Sequence, residues 1–324
     1  MSILVSINCI TYNHEDMIAD AIEGFLMQKT NFQYEILIGE DCSQDDTKRI
    51  VESYIEKYPD KIRMITSEKN VGARNNSIRL LENSKGKFIA ECEGDDYWTD
   101  PNKLQRQIDY MTSNPDCSLC FHASEIIQAP NKRTGMIVKP YNESRKSPIE
   151  DIIVGGGGFL ATGSMVYKKE LMENPPEFYL NAPIGDYPMQ MLLASQGHAY
   201  YIDKNMSAYR KGVKDSWTEK VFNSKDARNN IIKVNEGVIE LLEGFNSYTN
   251  QSYINQINEV KLMLEFKNHV LKGEITEQKK EKFNYSSIEK MKVRAKIYLR
   301  CKYPRLFYKL ANYKDTKMRK RLKA

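Results

Sequence analysis

The sequence lacks any long apolar segment. Across its 324 residues, no run approaches the roughly 18 apolar residues that a membrane-spanning helix needs. The opening residues, MSILVSINCITYN, show neither a basic leader nor a small-residue cleavage site, so we interpret them as a first β-strand and not as a signal peptide. We therefore expect a cytoplasmic protein whose thiols are reduced.

Cysteine is sparse and scattered. Of the six cysteines, only Cys117 and Cys120 have the C-x-x-C spacing that metal and redox sites use. They lie within the strand-like run DCSLCFHAS, and no second cysteine pair accompanies them. Two buried thiols are therefore the favoured interpretation.

Two common phosphate-binding loops are also absent. No G-x-G-x-x-G follows the first predicted strand, and no G-x-x-x-x-G-K-[ST] occurs anywhere in the chain. The glycine run Gly155–Gly158 leads towards a predicted strand and has no lysine after it, so it predicts a hinge more than a phosphate cradle. These absences exclude a Rossmann dehydrogenase and a P-loop NTPase.

The first hundred residues alternate between strand-like and helix-like segments. The predicted strands are residues 3–12, 34–43, 62–68 and 87–93, and the predicted helices between them are residues 14–28, 43–58 and 73–85. This alternation predicts an α/β fold in which parallel strands are joined by right-handed crossovers, with helices on both faces of the sheet.

The rest of the sequence divides into two regions. Strand and helix signals continue to about residue 215, interrupted at residues 132–148 by what we interpret as a variable loop. From Ser216 onward the pattern is helical and rich in lysine and asparagine. We therefore expect one domain over residues 1–215 and a helical C-terminal region over residues 216–324.

Acidic residues follow two of the predicted strands. Glu40 and Asp41 come after the second strand, and Glu93, Asp95 and Asp96 come after the fourth. In parallel sheets, ligands bind beyond the carboxyl ends of the strands, so these acids are expected to meet at one edge. Their mutual repulsion would be relieved by a hard divalent cation, which binds through one or two carboxylates plus substrate phosphates. The cluster therefore predicts a metal-assisted diphosphate site.

Five motifs occur in the order in which one enzyme family has them. They are VSINCITYNHED, ILIGEDCSQDDT, NVGARNN, EGDDYWTDPNKLQRQ, and GDYPMQMLLASQG with the later AYR. Together they make residues 1–215 resemble the family-2 glycosyltransferases. The resemblance implies the GT-A fold, a nucleotide-sugar-binding sheet with helices on both faces, followed here by the helical C-terminal region.

The resemblance also implies roles for individual residues. The implied donor-binding residues are Thr11, Asn13, Glu40, Asp41, Arg74, Glu93 and Asp95, of which the first four would line the base and ribose pocket. Asp95 and Asp96 would hold a divalent cation, Mn²⁺ or Mg²⁺. Asp186 would be the catalytic general base that deprotonates the acceptor hydroxyl.

The implied activity is an inverting sugar transfer. The donor would be a nucleotide-diphosphate sugar, expected to be a UDP-sugar, and the acceptor a hydroxyl group of a saccharide or lipid-linked molecule. The expected setting is the synthesis of cell-surface polysaccharide or glycoconjugate.

Two departures from the family pattern leave a second function open. Glu93 stands in place of the first aspartate of the D-x-D motif, and no histidine follows Arg210 in YRKGVKDSW, where many relatives have one that helps the metal. A non-catalytic or degenerate subunit that binds sugar nucleotides is therefore the alternative. A nucleotidyltransferase, the third candidate, would usually have a glycine-rich basic N-terminal loop, which SINCITYNHED lacks.

Several of these polar residues also have a structural alternative. Glu40 and Asp41 could cap the helix that follows them, although Ser43 is available for that role. Asp186 precedes a predicted helix and could be its N-cap. His122 could contact the donor or the acceptor, or it could be a histidine whose hydrogen bonds are satisfied in the core.

The last residues are strongly basic. Between Lys279 and Ala324 there are 17 Lys and Arg but 3 Asp and Glu, a net charge of +14 that leaves −9 for the rest of a chain of net charge +5. Tyrosine, leucine and phenylalanine are interleaved with these basic residues, as in helices that lie on anionic lipid. We expect this tail either to dock on the inner face of the membrane or to pack on the body, and we do not expect a nucleic-acid partner. The sequence does not indicate an oligomeric state.

Overall fold

The structure, a computed structural model, describes residues 2–274. The basic tail lies outside the described residues. The chain divides into two compact units, one ending at Lys220 and the other beginning at Val221. The sequence placed a boundary five residues earlier, between residues 215 and 216, and the division into a catalytic domain and a helical region stays a prediction.

Strands and helices alternate regularly as far as the fourth strand. The strands are β1 (Ile3–Thr11), β2 (Gln33–Glu40), β3 (Ile62–Thr66), β4 (Phe88–Glu91), β5 (Tyr97–Trp98), β6 (Cys117–Gln128), β7 (Lys132–Val138), β8 (Arg145–Ser147), β9 (Val166–Lys168) and β10 (His198–Lys211). The helices are α1 (Ile18–Leu26), α2 (Thr47–Lys57), α3 (Ala73–Asn83), α4 (Lys103–Ser113), α5 (Ile149–Gly155), α6 (Glu177–Leu180), α7 (Asp186–Ser195), α8 (Trp217–Phe222), α9 (Ala227–Tyr248) and α10 (Ile254–Lys272).

The strands between residues 2 and 274 form one sheet. Its order is β3-β2-β1-β4-β9-β6-β10-β5, with β7 paired to β6 and β8 paired to β10. The strands β1 to β4 are parallel, which confirms the parallel sheet predicted for the first hundred residues. Beyond β4 the sheet is mixed, because β9 is antiparallel to both β4 and β6, and β5 is antiparallel to β10.

The predicted loop over residues 132–148 is wrong in part. It contains β7, which is antiparallel to β6, and β8, which is antiparallel to β10. Most side chains of β7 are exposed, so this strand lacks the regular apolar alternation that marks a half-buried strand in a sequence. Its pairing with the long, buried strand β6 provides the stability that its own composition does not indicate.

Helices cover both faces of the parallel half of the sheet, as the sequence predicts. Val5, Ile7 and Cys9 of β1 belong to the core that also contains apolar residues of α1, α2 and α4. Asn8 points to the opposite face, where its Oδ1 accepts a hydrogen bond from Ser84 Oγ (2.9 Å) at the end of α3. Successive residues of a strand alternate between faces, so one strand supports both layers.

The helix α1 brings β5 against the core. Its buried residues Ile18, Ala21, Ile22 and Phe25 recur at helical spacing, and the Phe25 ring packs edge-on against Trp98 of β5 with centroids 4.9 Å apart. Fully burying a side chain of this size contributes about 1.5–3 kcal/mol. The start of β5, and with it the acidic stretch just before it, is therefore anchored to the core.

The cysteines behave as the sequence predicts. Cys117 and Cys120 are buried free thiols, and burial raises the pKa of Cys117 to about 12. No disulfide joins cysteines of the described residues, since each of them there is free. The C-x-x-C spacing is therefore a consequence of two core positions on β6.

The second unit contains a pair of long helices. Apolar residues of α9 and α10 are buried, and Asn235 Nδ2 of α9 donates to Asn268 Oδ1 of α10 (2.7 Å) within their interface. A buried amide pair of this kind needs one alignment of the two helices, because a shift would leave both groups without a partner. Over residues 2–274, none of the helices combines the length and the apolar character that crossing a membrane requires.

Candidate active site

The acid turn, residues 93–96, lies on the ends of two parallel strands. It follows β4, and Gly94 N donates to the carbonyl oxygen of Ile10 near the end of β1 (2.9 Å). A side chain at Gly94 would not fit, because its Cβ would lie 2.6 Å from Thr11 Oγ1. Glycine therefore lets the turn pack directly on Thr11, one of the predicted pocket residues, and the strand ends meet as expected for a ligand site.

The carboxylates of the acid turn repel one another. The pKa of Glu93 is raised to about 8, mainly by burial and to a smaller extent by the charges of Asp95, Asp186 and Glu91. Burial and the charges of Asp95 and Glu93 also raise the pKa of Asp96, although Asp96 Oδ1 accepts a hydrogen bond from Arg210 N (2.8 Å). The charge of Asp186 thus reaches the acid turn, although it is 90 residues away in the sequence.

Arg210 is a buried cation that contacts the backbone of the acid turn. Arg210 has a fully buried side chain that pairs with Asp20 and donates to Asn131 Oδ1 and to the carbonyl oxygens of Pro130 and Asp95 (each 2.8 Å). Its guanidinium also lies over the Tyr97 ring, 4.5 Å from the centroid. These contacts use four of the five N–H donors of Arg210 and fix it as a support beneath the turn.

The acid turn fits a divalent cation only if a ligand completes its coordination. The carboxylate of Asp95 makes no hydrogen bond or ion pair with residues 2–274, which leaves its oxygens for another partner. In that same range, no three His, Cys, Asp or Glu side chains are placed to hold a metal ion by themselves. Hard cations such as Mg²⁺ commonly bind through one or two carboxylates plus substrate phosphates, and the oxygen donors and unrelieved repulsion here agree with that mode.

Asp186 is the first residue of α7. Its Oδ1 accepts a hydrogen bond from the backbone N–H of Tyr187 (2.8 Å), and burial raises its pKa. The N-cap of α7 is Gly185, and no side chain caps that helix terminus, so the alternative of Asp186 as an N-cap does not describe its contacts.

A glycine turn covers one side of the Asp186 carboxylate. The run predicted to be a hinge forms a short 3₁₀ turn, Gly156–Gly158, directly after α5, and its role as a hinge stays a prediction. A Cβ built on Gly157 would lie 3.3 Å from Asp186 Oδ2, whereas a Cβ on Gly158 would meet nothing within 4 Å. The backbone at Gly157 therefore approaches the Asp186 carboxylate closely.

The other predicted donor-binding residues hold the loops at the strand ends. Asn13 has a left-handed backbone (φ 56°) and its Oδ1 accepts from Gln44 N (2.8 Å). Glu40 is fully buried, and its two carboxylate oxygens accept from Ser43 N (2.7 Å) and Thr66 Oγ1 (3.1 Å). These contacts make both residues supports of the pocket loops, and their direct contact with a nucleotide stays a prediction.

Asp41 and Arg74 are linked through one turn. The carboxylate of Asp41 accepts from Val71 N (2.8 Å) and Gly72 N (2.9 Å), immediately before α3 begins. Arg74, in the first turn of α3, directs its guanidinium to backbone carbonyls near Asp186. The sequence predicts that Arg74 reaches the nucleotide, and a direct contact between them stays a prediction beside these hydrogen bonds.

His122 is a core residue. Its side chain is fully buried on β6, its Nδ1 lies 2.8 Å from the carbonyl oxygen of Ala123, and burial lowers its pKa well below the usual range. The structure places His122 in the core, but its buried Nε2 has no hydrogen-bond partner among the described residues, so the alternative of a satisfied core histidine is met only at Nδ1.

A family comparison agrees with this arrangement. Residues 6–174 match the family described as Glycosyl transferase family 2, which is more than half of the chain. The chain belongs to glycosyl transferase family 2. Its membership confirms the resemblance that the five motifs indicate.

Curated relatives of this family-2 chain match part of its length. The uncharacterized protein Rv1520 of Mycobacterium tuberculosis is 31% identical over 213 residues, which are 66% of this chain and 60% of the relative. The Escherichia coli protein WfgD, a UDP-Glc:alpha-D-GlcNAc-diphosphoundecaprenol beta-1,3-glucosyltransferase, is 34% identical over 148 residues, 44% of this chain and 56% of that protein. The chain thus spans about 60% of the mycobacterial relative's length.

Solved structures share the fold at low sequence identity. S. aureus TarS, residues 1–349 in complex with UDP-GlcNAc, aligns over 92% of this chain and 91% of its own with a TM-score of 0.56 and 14% identity. The mannosyltransferase PcManGT from Pyrobaculum calidifontis, in complex with GDP-Man and Mn²⁺, aligns over 91% and 79% with a TM-score of 0.56 and 12% identity. These likenesses confirm the predicted GT-A fold.

Two residues of this family-2 site went unassigned in the sequence. Arg210 was seen only as part of a Y-R motif, and its partners lie as far away as Asp20, which no local pattern indicates. His14 places Nδ1 3.2 Å from Thr11 Oγ1, and burial lowers its pKa although the charge of Asp95 opposes that effect. The signal that could have found His14 is its place in the first motif, TYNHE, next to the predicted pocket residues.

The family-2 sheet also contains a buried acid whose ionisation should lower stability. Glu91 accepts a hydrogen bond from Tyr167 Oη (2.7 Å), and burial raises its pKa from 4.5 to about 7. The Glu91 carboxyl group therefore binds its proton more tightly in the folded state than in the unfolded state. The stability that this protonation contributes is present below pH 4.5 and is lost as the pH rises to 7. Glu91→Gln keeps an acceptor for Tyr167 and cannot ionise.

We expect Glu91→Gln to raise the free energy of unfolding by about 2 kcal/mol more at pH 8 than at pH 5. Urea unfolding of both proteins at the two pH values measures this difference. The matched change Glu82→Gln, at an exposed position of α3, should show no such pH dependence. A Glu91→Gln effect that is the same at both pH values would mean that Glu91 does not titrate in this range.

Proposed function

We propose that this chain is an inverting glycosyltransferase that moves a sugar from a nucleotide-diphosphate donor to the hydroxyl group of an acceptor. The observation that carries the proposal is the acid turn packed on the end of β1, where Gly94 N donates to the Ile10 carbonyl oxygen (2.9 Å), together with the charge of Asp186, which helps to raise the pKa of Glu93. A general base for the acceptor and a cluster of acids for a metal-bound diphosphate are the two parts that such a transfer needs.

Each acidic residue has a distinct task in this proposal. Asp186, whose carboxylate faces the glycine turn, accepts the proton of the acceptor hydroxyl as that oxygen attacks the anomeric carbon. Asp95 and Asp96 would hold the divalent cation, which when bound neutralises charge on the leaving diphosphate. Glu93, a member of the acid turn, would contact the donor ribose or a metal-bound water.

The substrates are inferred from family members. TarS has been solved with UDP-GlcNAc and PcManGT with GDP-Man and Mn²⁺, while the name of WfgD specifies UDP-glucose and a diphosphoundecaprenol acceptor. We infer a UDP-sugar donor, Mn²⁺ or Mg²⁺ as the cation, and a saccharide or lipid-linked acceptor used in cell-surface polysaccharide or glycoconjugate synthesis. A cytoplasmic enzyme attached peripherally to the inner face of the membrane would reach such an acceptor.

A panel of nucleotide sugars tests the proposal against its alternative. Thermal shifts of the full chain, with and without Mn²⁺, identify the donor, and release of the nucleoside diphosphate then reports turnover. A transferase should hydrolyse its donor slowly and faster with an acceptor. Metal-dependent binding without any turnover would instead support a non-catalytic sugar-nucleotide-binding subunit, the function that Glu93 and the missing histidine after Arg210 leave open.

Membrane attachment would depend on the basic tail. Each Lys or Arg near an anionic surface contributes about 1 kcal/mol, and the tail has a net charge of +14. We expect the full chain to bind phosphatidylserine-containing vesicles at low salt and to be released as the ionic strength rises, because the Debye length falls to about 8 Å at 0.15 M. Neutral phosphatidylcholine vesicles are the control in sedimentation. Equal binding to both vesicle types, or none at low salt, would contradict attachment by charge.

A further inference from the structure

Arg74 binds the backbone of the segment that leads to Asp186. Its guanidinium donates to the carbonyl oxygens of Tyr179, Ala182 (2.7 Å) and Ile184 (2.9 Å). The same guanidinium lies over the Tyr179 ring, 5.2 Å from the centroid. One planar group therefore holds three carbonyls across the 179–185 segment, and Ile184 is two residues before Asp186.

The 179–185 segment has little regular structure of its own. It contains only the end of the four-residue helix α6, and the amides of Asn181 and Ala182 close short turns back to Glu177 and Tyr179 (3.0 and 3.4 Å). Pro183 has no amide hydrogen to donate. The carbonyls of Ala182 and Ile184 are therefore held in place by a side chain from more than 100 residues earlier in the sequence.

Arg74 is itself fixed from the donor side of the site. The carboxylate of Asp41 accepts from the amides of Val71 and Gly72, and α3 starts at the next residue, Ala73. Gly72 has φ 84°, a left-handed backbone that glycine adopts without strain. Asp41 thereby sets the direction of the first turn of α3, and this turn directs Arg74 to the 179–185 segment.

We propose that Arg74 is a positioning residue, which acts on catalysis by holding the 179–185 segment so that Asp186 faces the acceptor hydroxyl. This inference rests on the proposed function and assigns Arg74 to the acceptor side of the reaction instead of the nucleotide. The three carbonyls take three of the five N–H donors of the guanidinium and engage both Nη atoms, so most of its hydrogen-bonding capacity is spent on the segment. A misplacement of about 1 Å can reduce a rate about 100-fold, so holding a base in place is a sufficient role.

The first test follows the 179–185 segment directly and needs no substrate. Arg74→Met keeps the apolar contact with Tyr179 and removes every hydrogen bond, whereas Arg74→Lys keeps the charge and part of the donor capacity. Arg79→Met is the matched control, because Arg79 lies on the same helix and donates instead to the carbonyl oxygen of Thr66. Hydrogen–deuterium exchange of peptides covering residues 177–187 in the full chain reports the opening of the segment.

We expect exchange in these peptides to be at least about tenfold faster in Arg74→Met than in wild type, intermediate in Arg74→Lys and unchanged in Arg79→Met. Equal protection in Arg74→Met and wild type would overturn the inference. If Arg74→Met fails to fold, Arg74→Lys is compared with wild type instead, and equal protection in these two proteins would overturn the inference. Faster exchange of the same peptides in Arg79→Met would also overturn it.

The second test separates positioning from nucleotide binding. We expect Arg74→Met to bind UDP with Mn²⁺ within about twofold of wild type by calorimetry, while kcat for transfer falls about 100-fold. A loss of UDP affinity with an unchanged kcat would show that Arg74 binds the nucleotide, and the inference would be wrong. If wild type turns over no donor, the proposed function fails together with the catalytic part of this inference, and the exchange experiment still decides whether Arg74 holds the segment.

Discussion

Replacing Asp95 with asparagine is expected to abolish Mn²⁺-dependent binding of the donor nucleotide. The carboxylate of Asp95 makes no hydrogen bond or ion pair with residues 2–274, as is also true of Glu93, so its oxygens are available to a cation. Changes in the outer shell of a metal site reduce affinity by about 10–100-fold, and the loss of a direct ligand should reach at least the upper end of that range. Calorimetry with UDP, with and without MnCl₂, measures the effect.

The same substitution should not harm the fold. The charge of Asp95 raises the pKa of both Glu93 and Asp96, so removing it relieves repulsion in the metal-free protein. We therefore expect the melting temperature of metal-free Asp95→Asn to equal or exceed that of wild type. Asp109→Asn, at an exposed position of α4, makes the same acid-to-amide change and should leave UDP binding unaltered. If Asp95→Asn binds UDP and Mn²⁺ as tightly as wild type, the metal assignment is wrong.

Asp186→Asn is expected to lose transfer and to keep donor affinity. A general base contributes about 10²–10⁴-fold to a rate, and it acts in the chemical step, so kcat should fall by this factor while the Kd for UDP with Mn²⁺ stays within about twofold. Glu170→Gln, at an exposed position of the same unit, is the matched control and should keep full turnover. Comparable kcat values for Asp186→Asn and wild type would mean that Asp186 only supports the start of α7.

The pH dependence of turnover gives a second readout for Asp186. Burial raises its pKa above the ordinary aspartate value of 3.8, and a general base must be ionised to accept a proton. The turnover number of wild type should therefore decline as pH falls, beginning above the pH at which an ordinary aspartate would protonate. Asp186→Asn should lose this acidic limb. A wild-type profile without such a decline would remove the reason for assigning the base to Asp186.

The sequence could predict where the acids of the candidate site lie, because their positions depend on local rules. Glu40 ends a buried strand and Asp95 follows one, and the carboxyl ends of parallel strands meet at one sheet edge whatever the rest of the chain does. The alternation of strands and helices that fixes this edge is a strong periodic signal. The resemblance to the family added Asp186, whose distance in the sequence hides its place beside the acid turn.

The sequence could not predict which charged side chains of the site bind other parts of the protein. Arg74 reaches carbonyls more than 100 residues away, and Arg210 reaches Asp20 across an even longer separation. Such pairings depend on which loops the completed sheet brings together. Neither the periodicity of apolar residues nor the spacing of motif residues in the sequence contains that information. For the same reason β7 was missed, since its pairing with β6 and not its own composition makes it a strand.

The stereochemistry of the product shows whether this site transfers a sugar with inversion. The full chain is incubated with Mn²⁺, the UDP-sugar selected by the binding panel, and a saccharide acceptor linked to a lipid diphosphate, and the product is analysed by proton NMR. We predict acceptor-dependent release of UDP and a new glycosidic bond with β configuration from an α-linked donor. Tight binding of UDP and Mn²⁺ without UDP release from any donor would show that the site is not a transferase, and a product that retains the donor configuration would show that the transfer is not inverting.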